Sequence, residues 1–358
     1  MVIVERRTAV CHCGSPRIEG DGIDVSRTTL KDVAERVGVS AKTVSNVVNG
    51  TGWVTDELKD RVRAAIVELG YRPNVAARNL RSGRSGMIAV ALPDLGQPYF
   101  AELASDLVRA AQERSITVLV NQTDGREDVE RRIAEGIDMP IIDGLILSPL
   151  ALTAADLQHR VDPTPLILLG EHVGESALPH VTVDNTAAAR AAVEHLLGLG
   201  RRRIAAIGAQ EHGPNETAVL RLSGYRQALA GAGIAFDPAL VGPVESYQRA
   251  DGARAAEALL DAGVEFDAIF AFNDLLALSA MHVLVSRGVR VPEQVAVIGF
   301  DDIDEASYST PTLSSVAPDT LALARTAIDL LSADPPARGV HSIPFTIAHR
   351  ASTEGAAL

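Results

Sequence analysis

TLKDVAERVGVSAKTVSNVVNG, residues 29–50, carries two helical patterns separated by a glycine turn. Leu30, Val33, Ala34 and Val37 recur at the spacing that puts them on one face of a helix. Thr29 stands where it can cap that helix, with Asp32 in its first turn. Gly38-Val39-Ser40 then breaks the pattern, and Ser40 can cap a second helix with Val44, Val47 and Val48 on its inner face. Two short helices joined by such a turn form the helix-turn-helix arrangement. The second helix leaves Ala41, Lys42, Ser45, Asn46 and Asn49 outward, small or hydrogen-bonding groups of a size that enters a major groove.

Working outward, Thr55 caps a third helix with Asp56 and Glu57 in its first turn. Its apolar face is Leu58, Val62, Ala65, Ile66 and Leu69, and Gly70 with Pro73 stops it. Three such helices can enclose one small core, and Trp53 is expected to pack on the third, with a place against the DNA backbone as the alternative. Pro73 opens a further helical stretch, Asn74 to Arg81, that ends in Ser82-Gly83-Arg84-Ser85-Gly86. It is shorter than the roughly 12 residues a helix needs to persist alone in water, so it requires a partner to hold it.

A chain of 358 residues is long enough for two or three domains, and with 47% hydrophobic residues it can build sizeable cores. The net charge is -13, yet residues 27–86 hold 11 Lys and Arg against 6 Asp and Glu; their surplus of five leaves -18 on the rest. A basic head on an acidic body fits a modular DNA binder and excludes a protein that coats nucleic acid with its whole surface. No apolar run is long enough to span a membrane, and residues 1–26 lack a secretory apolar core, so a cytoplasmic protein is expected, with residues 1–26 a disordered extension or a start set too far upstream. Cys11, His12 and Cys13 are too close together to wrap one tetrahedral ion, so no metal and no cofactor is expected.

From Met87 onward the pattern changes to buried apolar runs, 87–92, 118–121, 144–148, 166–169, 204–207, 268–271 and 295–300, alternating with helical stretches. That alternation predicts parallel sheets with crossover helices, in two α/β lobes because one sheet would be crowded. Ligands meet such sheets at the carboxyl ends of strands. The polar residues there are Asp94, Asp184, Asn273, Asp274, Asp301 and Asp302, and Arg221 is the cation placed to join them. Carboxylates, an amide and a guanidinium suit the neighbouring hydroxyls of a sugar. An enzyme is the rival class, but no GxGxxG, GxxxxGK[ST], GxSxG or HExxH occurs, and nothing organises a nucleophile.

VSAKTVSNVVNG followed by YRPNVAARNLRSGRSG resembles the lactose-repressor family of bacterial transcription regulators, and the likeness continues along the chain. The resemblance implies a small all-α DNA-binding head over residues 27–72, a hinge helix over 73–86 and a two-lobed core over 87–358 like periplasmic sugar-binding proteins. The first lobe would comprise about 87–195 plus 317–334 and the second about 196–316 plus 335–358, with crossings near Leu196, Leu313 to Val316 and Ala333. It also implies a repressor of double-stranded, pseudo-palindromic operator DNA. Ala41, Lys42 and Asn46 would face bases, Thr43 and Ser45 phosphates, and Thr29, Ser40 and Asn49 would complete the surface. Asn46 departs from the arginine common in the family, which puts readout of that base pair in question. Paired hinge helices would bring Asn74, Ala77, Arg78 and Leu80 to the minor groove, Leu80 as a wedge. Asp184, Arg221, Asn273 and Asp301 match effector contacts, Tyr247 an aromatic on the sugar face, and Tyr99 with Phe100 an aromatic pair beside the ligand. The effector is expected to be a sugar, with a nucleobase or nucleoside as the alternative. A homodimer is expected, since no heptad tail follows the last strand, and the apolar helix Leu275 to Val285 is the expected dimer contact.

Overall fold

The computed structural model describes residues 28–71, 84–137, 139–171, 178–211, 216–333 and 337–354. They fall into two compact units, a head ending at Tyr71 and a core starting at Arg84. Asn74, Ala77, Arg78 and Leu80 lie outside the described residues.

In the head, helices α1 (Leu30–Val37), α2 (Ala41–Asn49) and α3 (Asp56–Glu68) enclose Val33, Ala34, Val37, Val44, Val62 and Ala65, with Tyr71 closing the core. Thr29 caps α1 through the Asp32 amide, and Asp32 accepts from the Thr29 amide in return, so both ends of this box satisfy an otherwise orphaned donor. Ser40 caps α2 at the Thr43 amide. Gly38, at φ 76°, makes the turn between them in a conformation that side chains avoid. Trp53 does not pack on α3: it is 90% exposed, because the small core is already filled by the aliphatic residues of the three helices.

The core begins with β1 (Met87–Leu92), α4 (Pro98–Gln112), β2 (Thr117–Gln122), α5 (Glu127–Ala134), β3 (Leu145–Leu147), α6 (Ala154–Gln158), β4 (Leu166–Leu169) and β5 (His180–Val183). There follow α7 (Asn185–Gly198), β6 (Ile204–Ala209), α8 (Glu216–Gly231), β7 (Val241–Pro243), α9 (Arg249–Asp261), β8 (Ala268–Ala271), α10 (Asp274–Ser286), β9 (Ala296–Phe300), α11 (Asp304–Tyr308) and β10 (Ser314–Pro318). The chain ends through α12 (Thr320–Ser332), β11 (Val340–Ile343), β12 (Phe345–Ala348) and α13 (Ala351–Glu354). Two six-stranded sheets result, ordered β11-β5-β4-β3-β1-β2 and β12-β10-β9-β8-β6-β7. All pairings are parallel except β10 with β12. Buried strands such as Leu145–Leu147 and Ala268–Ala271 carry no polar side chain, as a sheet covered on both faces requires.

The crossings between lobes differ from the sequence expectation at both ends. The first falls at Asp184, ahead of α7, because Ala188, Ala189, Ala192, Val193 and Leu196 of that helix belong to the second-lobe core. Against them packs α8, whose Gly224 lies so close to Thr186 O that any side chain there would collide with backbone. The last crossing falls at Pro344, because β11 pairs with β5 in the first sheet and only β12 joins the second. The expected dimer helix, α10, is also different: Leu275, Leu276, Ala280, Met281, Val283 and Leu284 are buried within the chain, and Val285 is its largely exposed apolar residue.

Candidate functional site

Between the carboxyl ends of the two sheets lies a cavity of about 340 Å³, within the range of small-molecule sites. The first lobe lines it with Tyr99, Phe100, Leu103, Ser148, Leu150, Leu169, Glu171 and Thr182. The second contributes Gln210, Glu216, Thr217, Arg221, Glu245, Ser246, Tyr247, Asn273, Phe300 and Asp301.

Arg221, on the buried face of α8, is the centre of the polar wall. Its Nε donates to Asn185 Oδ1 at 2.7 Å, its Nη1 donates to Phe272 O, and its Nη2 stands 3.8 Å from Asp301 Oδ1. The guanidinium also lies over the Phe300 ring, 3.5 Å from its centroid. A planar fork held on three sides this way is fixed before any ligand arrives. Glu171 is fixed too: it accepts from Thr182 Oγ1 at 2.6 Å, Asn185 Nδ2 at 2.6 Å and Thr217 Oγ1 at 2.9 Å. Because Thr217 and Asn185 belong to the second lobe, this carboxylate also ties the lobes together, as does Glu102 by accepting from the Asp304 amide at 3.0 Å.

Asp301 sits at φ 108° with its amide bonded to Val316 O, a backbone conformation costly for a residue with a side chain. Burial pushes its carboxyl up to about 7, although the Arg221 guanidinium opposes this. Burial likewise raises the Tyr99 and Tyr247 hydroxyls above their ordinary range. The Tyr247 hydroxyl is buried without a hydrogen-bond partner among the described residues, which marks a place where a bound polar group would be welcome.

Of the candidates named from sequence, Tyr99, Phe100, Arg221, Tyr247, Asn273 and Asp301 line the cavity. Asn273 also caps α10 at the Leu276 amide and donates to Tyr247 O at 3.1 Å. Asp94, Asp184 and Asp274 do not line it. Asp94 accepts from the Gly96 amide in a turn, and Asp184 caps α7 at the Ala187 amide, so free backbone donors take both carboxylates. Asp274 is buried beneath the wall, accepting from Ser315 Oγ at 2.6 Å and the Ile303 amide at 3.0 Å. Its carboxyl is raised well above the ordinary range by burial, and Gly299 leaves it room that a side chain would close. Asp302 pairs with Arg350 instead, at 2.6 Å. Glu171, Gln210 and Ser148 were missed, although each follows a strand that the apolar runs reveal. Thr217, Glu245 and Ser246 carry no such signal.

On the head, Ala41 and Lys42 are exposed at the start of α2, while Ser45 and Asn46 are half-buried. Thr43 Oγ1 is 2.8 Å from Ser40 Oγ, so its hydroxyl is drawn toward the cap. Asn46 packs over the turn at Gly52, where an added Cβ would come within 2.9 Å of its Nδ2. Asn49 is the last residue of α2. No helix among the described residues is long and apolar enough to cross a membrane.

Residues 29–74 match the family of bacterial regulatory proteins, lacI family, and residues 193–353 match a periplasmic binding protein-like domain. The HTH-type transcriptional regulator AscG of Escherichia coli (strain K12) is 36% identical over 293 residues, 81% of this chain and 86% of its own. The HTH-type transcriptional regulator CelR of Thermobifida fusca is 35% identical over 326 residues, 85% of this chain and 91% of its own. Among solved structures, the lac repressor dimer bound to operator and the anti-inducer ONPF superposes with a TM-score of 0.79 at 26% identity, covering 92% of this chain and 99% of that one. A CelR–cellobiose complex gives a TM-score of 0.65 at 31% identity, covering 91% and 100%. With these relatives named as HTH-type transcriptional regulators, the chain belongs to the LacI family of bacterial transcriptional regulators.

Proposed function

We infer that the protein is a dimeric repressor whose affinity for a pseudo-palindromic operator is changed by an uncharged saccharide bound in the cavity. The observation that carries the effector class is the charge of the described lining: the carboxylates of Glu171, Glu216 and Glu245, with Asp301 beside them, against the one guanidinium of Arg221 among the described residues. An acid majority repels phosphates and carboxylates, while fixed carboxylates, an amide and a guanidinium can each bond neighbouring hydroxyls. The aromatic edge of Tyr99 and Phe100, with ring centroids 5.2 Å apart, supplies an apolar surface for a sugar face. The cellobiose found with CelR and the sugar-like chemistry of this wall support the same reading.

On the DNA side, Lys42 donates to guanine, Ala41 contacts a thymine methyl and Asn46 reaches adenine once it leaves Gly52. Thr29, Ser40, Thr43, Ser45 and Asn49 then face the phosphate backbone, and Asn74, Ala77, Arg78 and Leu80 serve the minor groove. Saccharide acts by favouring one arrangement of the lobes over the other, and it shifts operator affinity by that difference alone. Two heads are needed because one three-helix unit binds too weakly by itself, and the lac repressor neighbour is a dimer.

The test pairs a thermal-shift screen with operator selection from random duplex DNA. Neutral mono- and disaccharides are expected to raise Tm, and the best of them to change the affinity of the selected DNA. Stabilisation by sugar phosphates or nucleosides with none from neutral sugars would overturn the effector class. Absence of salt-dependent binding to any selected duplex would overturn the repressor itself.

A further inference from the structure

Outside the cavity, the described residues bring together one group of metal-ligand side chains, His195, His349 and Glu354, each offering a ligand atom within 4.8 Å of the others. His195 lies in the last turn of α7, His349 follows β12, and Glu354 ends α13. Glu354 Oε1 is 3.0 Å from His349 Nδ1, and the two imidazoles meet edge to face with centroids 4.5 Å apart. The frame that carries them is stiff. Thr353 Oγ1 lies 3.1 Å from His195 Nε2 and 2.7 Å from Ser314 Oγ, while Ser352 Oγ donates to Val297 O at 2.6 Å. The His349 and Glu354 side chains are half-exposed, so an ion can reach them and they can adjust around it.

We propose that His195, His349 and Glu354 bind one divalent transition-metal ion of the zinc type, with water in the fourth position. Two imidazoles and one carboxylate are the donors that zinc accepts at about 2.0–2.2 Å, which places tetrahedral ligands roughly 3.4 Å apart. No pair of donors is more than 4.8 Å apart, and His349 with Glu354 is already closer than the tetrahedral spacing, so small side-chain adjustments at half-exposed positions bring the three around one ion. Hard ions are excluded by the same donors, because magnesium and calcium require an oxygen shell. The ion fastens the segment 349–354 to the end of α7, closing the second lobe where the chain finishes its last strand. The sequence expectation of no metal weighed only the adjacent Cys11, His12 and Cys13.

The experiment uses the full chain, stripped of metal with a chelator and titrated with zinc chloride by calorimetry, with thermal unfolding measured in parallel. One saturable site per chain and an upward shift of Tm by a few degrees are expected. Magnesium should give neither. His349→Gln and Glu354→Gln, both at half-exposed positions, should each weaken zinc binding at least tenfold while circular dichroism shows the fold intact. A Cys11→Ser, Cys13→Ser variant should bind as the parent does. Zinc binding that survives the paired His349→Gln, Glu354→Gln change, that disappears with the cysteines, or that leaves Tm unmoved would overturn the proposal.

Discussion

The two walls of the cavity are built from different material. From the first lobe come mainly apolar surfaces, Tyr99, Phe100, Leu103, Leu150 and Leu169. From the second come Arg221, Asn273 and Asp301, each already held by the protein: Arg221 by Asn185 and Phe272 O, Asn273 by Leu276 and Tyr247, Asp301 by the bond from its amide to Val316 O. A hydrogen-bonding group selects by direction, so it must be set before the ligand arrives. An apolar wall selects by area and can close afterward. Besides the hydroxyls of Ser148 and Thr182, the first lobe supplies one charged group among its described lining residues, the Glu171 carboxylate, held by Asn185 and Thr217 of the second. It makes the polar wall depend on the lobes being together.

Removing the cation should break the polar wall most severely. Arg221→Met is expected to lower saccharide affinity by about a hundredfold, since bonds involving charged groups are worth roughly 1.5–3 kcal/mol each. It should also cost the core several kcal/mol, because Asn185 Oδ1 and Phe272 O lose a buried donor. Arg221→Lys keeps the charge without the fork and should fall between. Calorimetry and denaturant unfolding measure both quantities, and wild-type affinity in Arg221→Met would mean that the second-lobe wall does not read the ligand.

The next effect is on pH. Asp301 has its carboxyl raised to about 7 by burial, so the empty folded state holds a proton that the unfolded chain has lost. Stability from this group is therefore full below about 4 and declines as pH rises toward 7. A saccharide hydroxyl that donates to Asp301 favours the charged form and lowers its pKa. Affinity should then rise with pH and level off above 7, by at most about tenfold between pH 6 and 8. Asp301→Asn should flatten the profile. A smaller loss, about fivefold, is expected from Tyr247→Phe, whose apo stability should hold because the hydroxyl has no partner among the described residues to lose.

The same contrast between walls explains what the sequence disclosed. The head was readable because its information is local: Thr29, Ser40 and the valine spacing act within a few residues. The buried strands were readable for their unbroken apolar runs. Strands β5, β7, β11 and β12 were not, since they are short or carry exposed and polar residues, as Val340 and His341 show. At the site, the rule that ligands meet strand ends found Asn273 and Asp301 but also pointed to Asp94 and Asp184, which nearby amides had already engaged. Glu171, two residues beyond the apolar run 166–169, lies where the same rule applies, but it was not among the candidates. Thr217 and Ser246 come from a helix start and a loop, and only the fold brings them to the cavity.

The apolar wall should be the more forgiving one, and Phe100→Leu tests that directly. The ring lies half-buried on α4 with its centroid 5.2 Å from that of Tyr99 in an edge arrangement. Leucine keeps most of the apolar area and leaves no large void, so what is lost is the aromatic contribution, of order 0.5–1.5 kcal/mol. Affinity for the saccharide that most raises Tm should fall about threefold, with the pH profile unchanged because no titrating group has been touched. Isothermal titration at pH 6 and pH 8 reads both numbers in one series. A loss as large as that of Arg221→Met would erase the distinction between the walls and make stacking on the aromatic pair the dominant recognition, which is what a planar base rather than a saccharide would require.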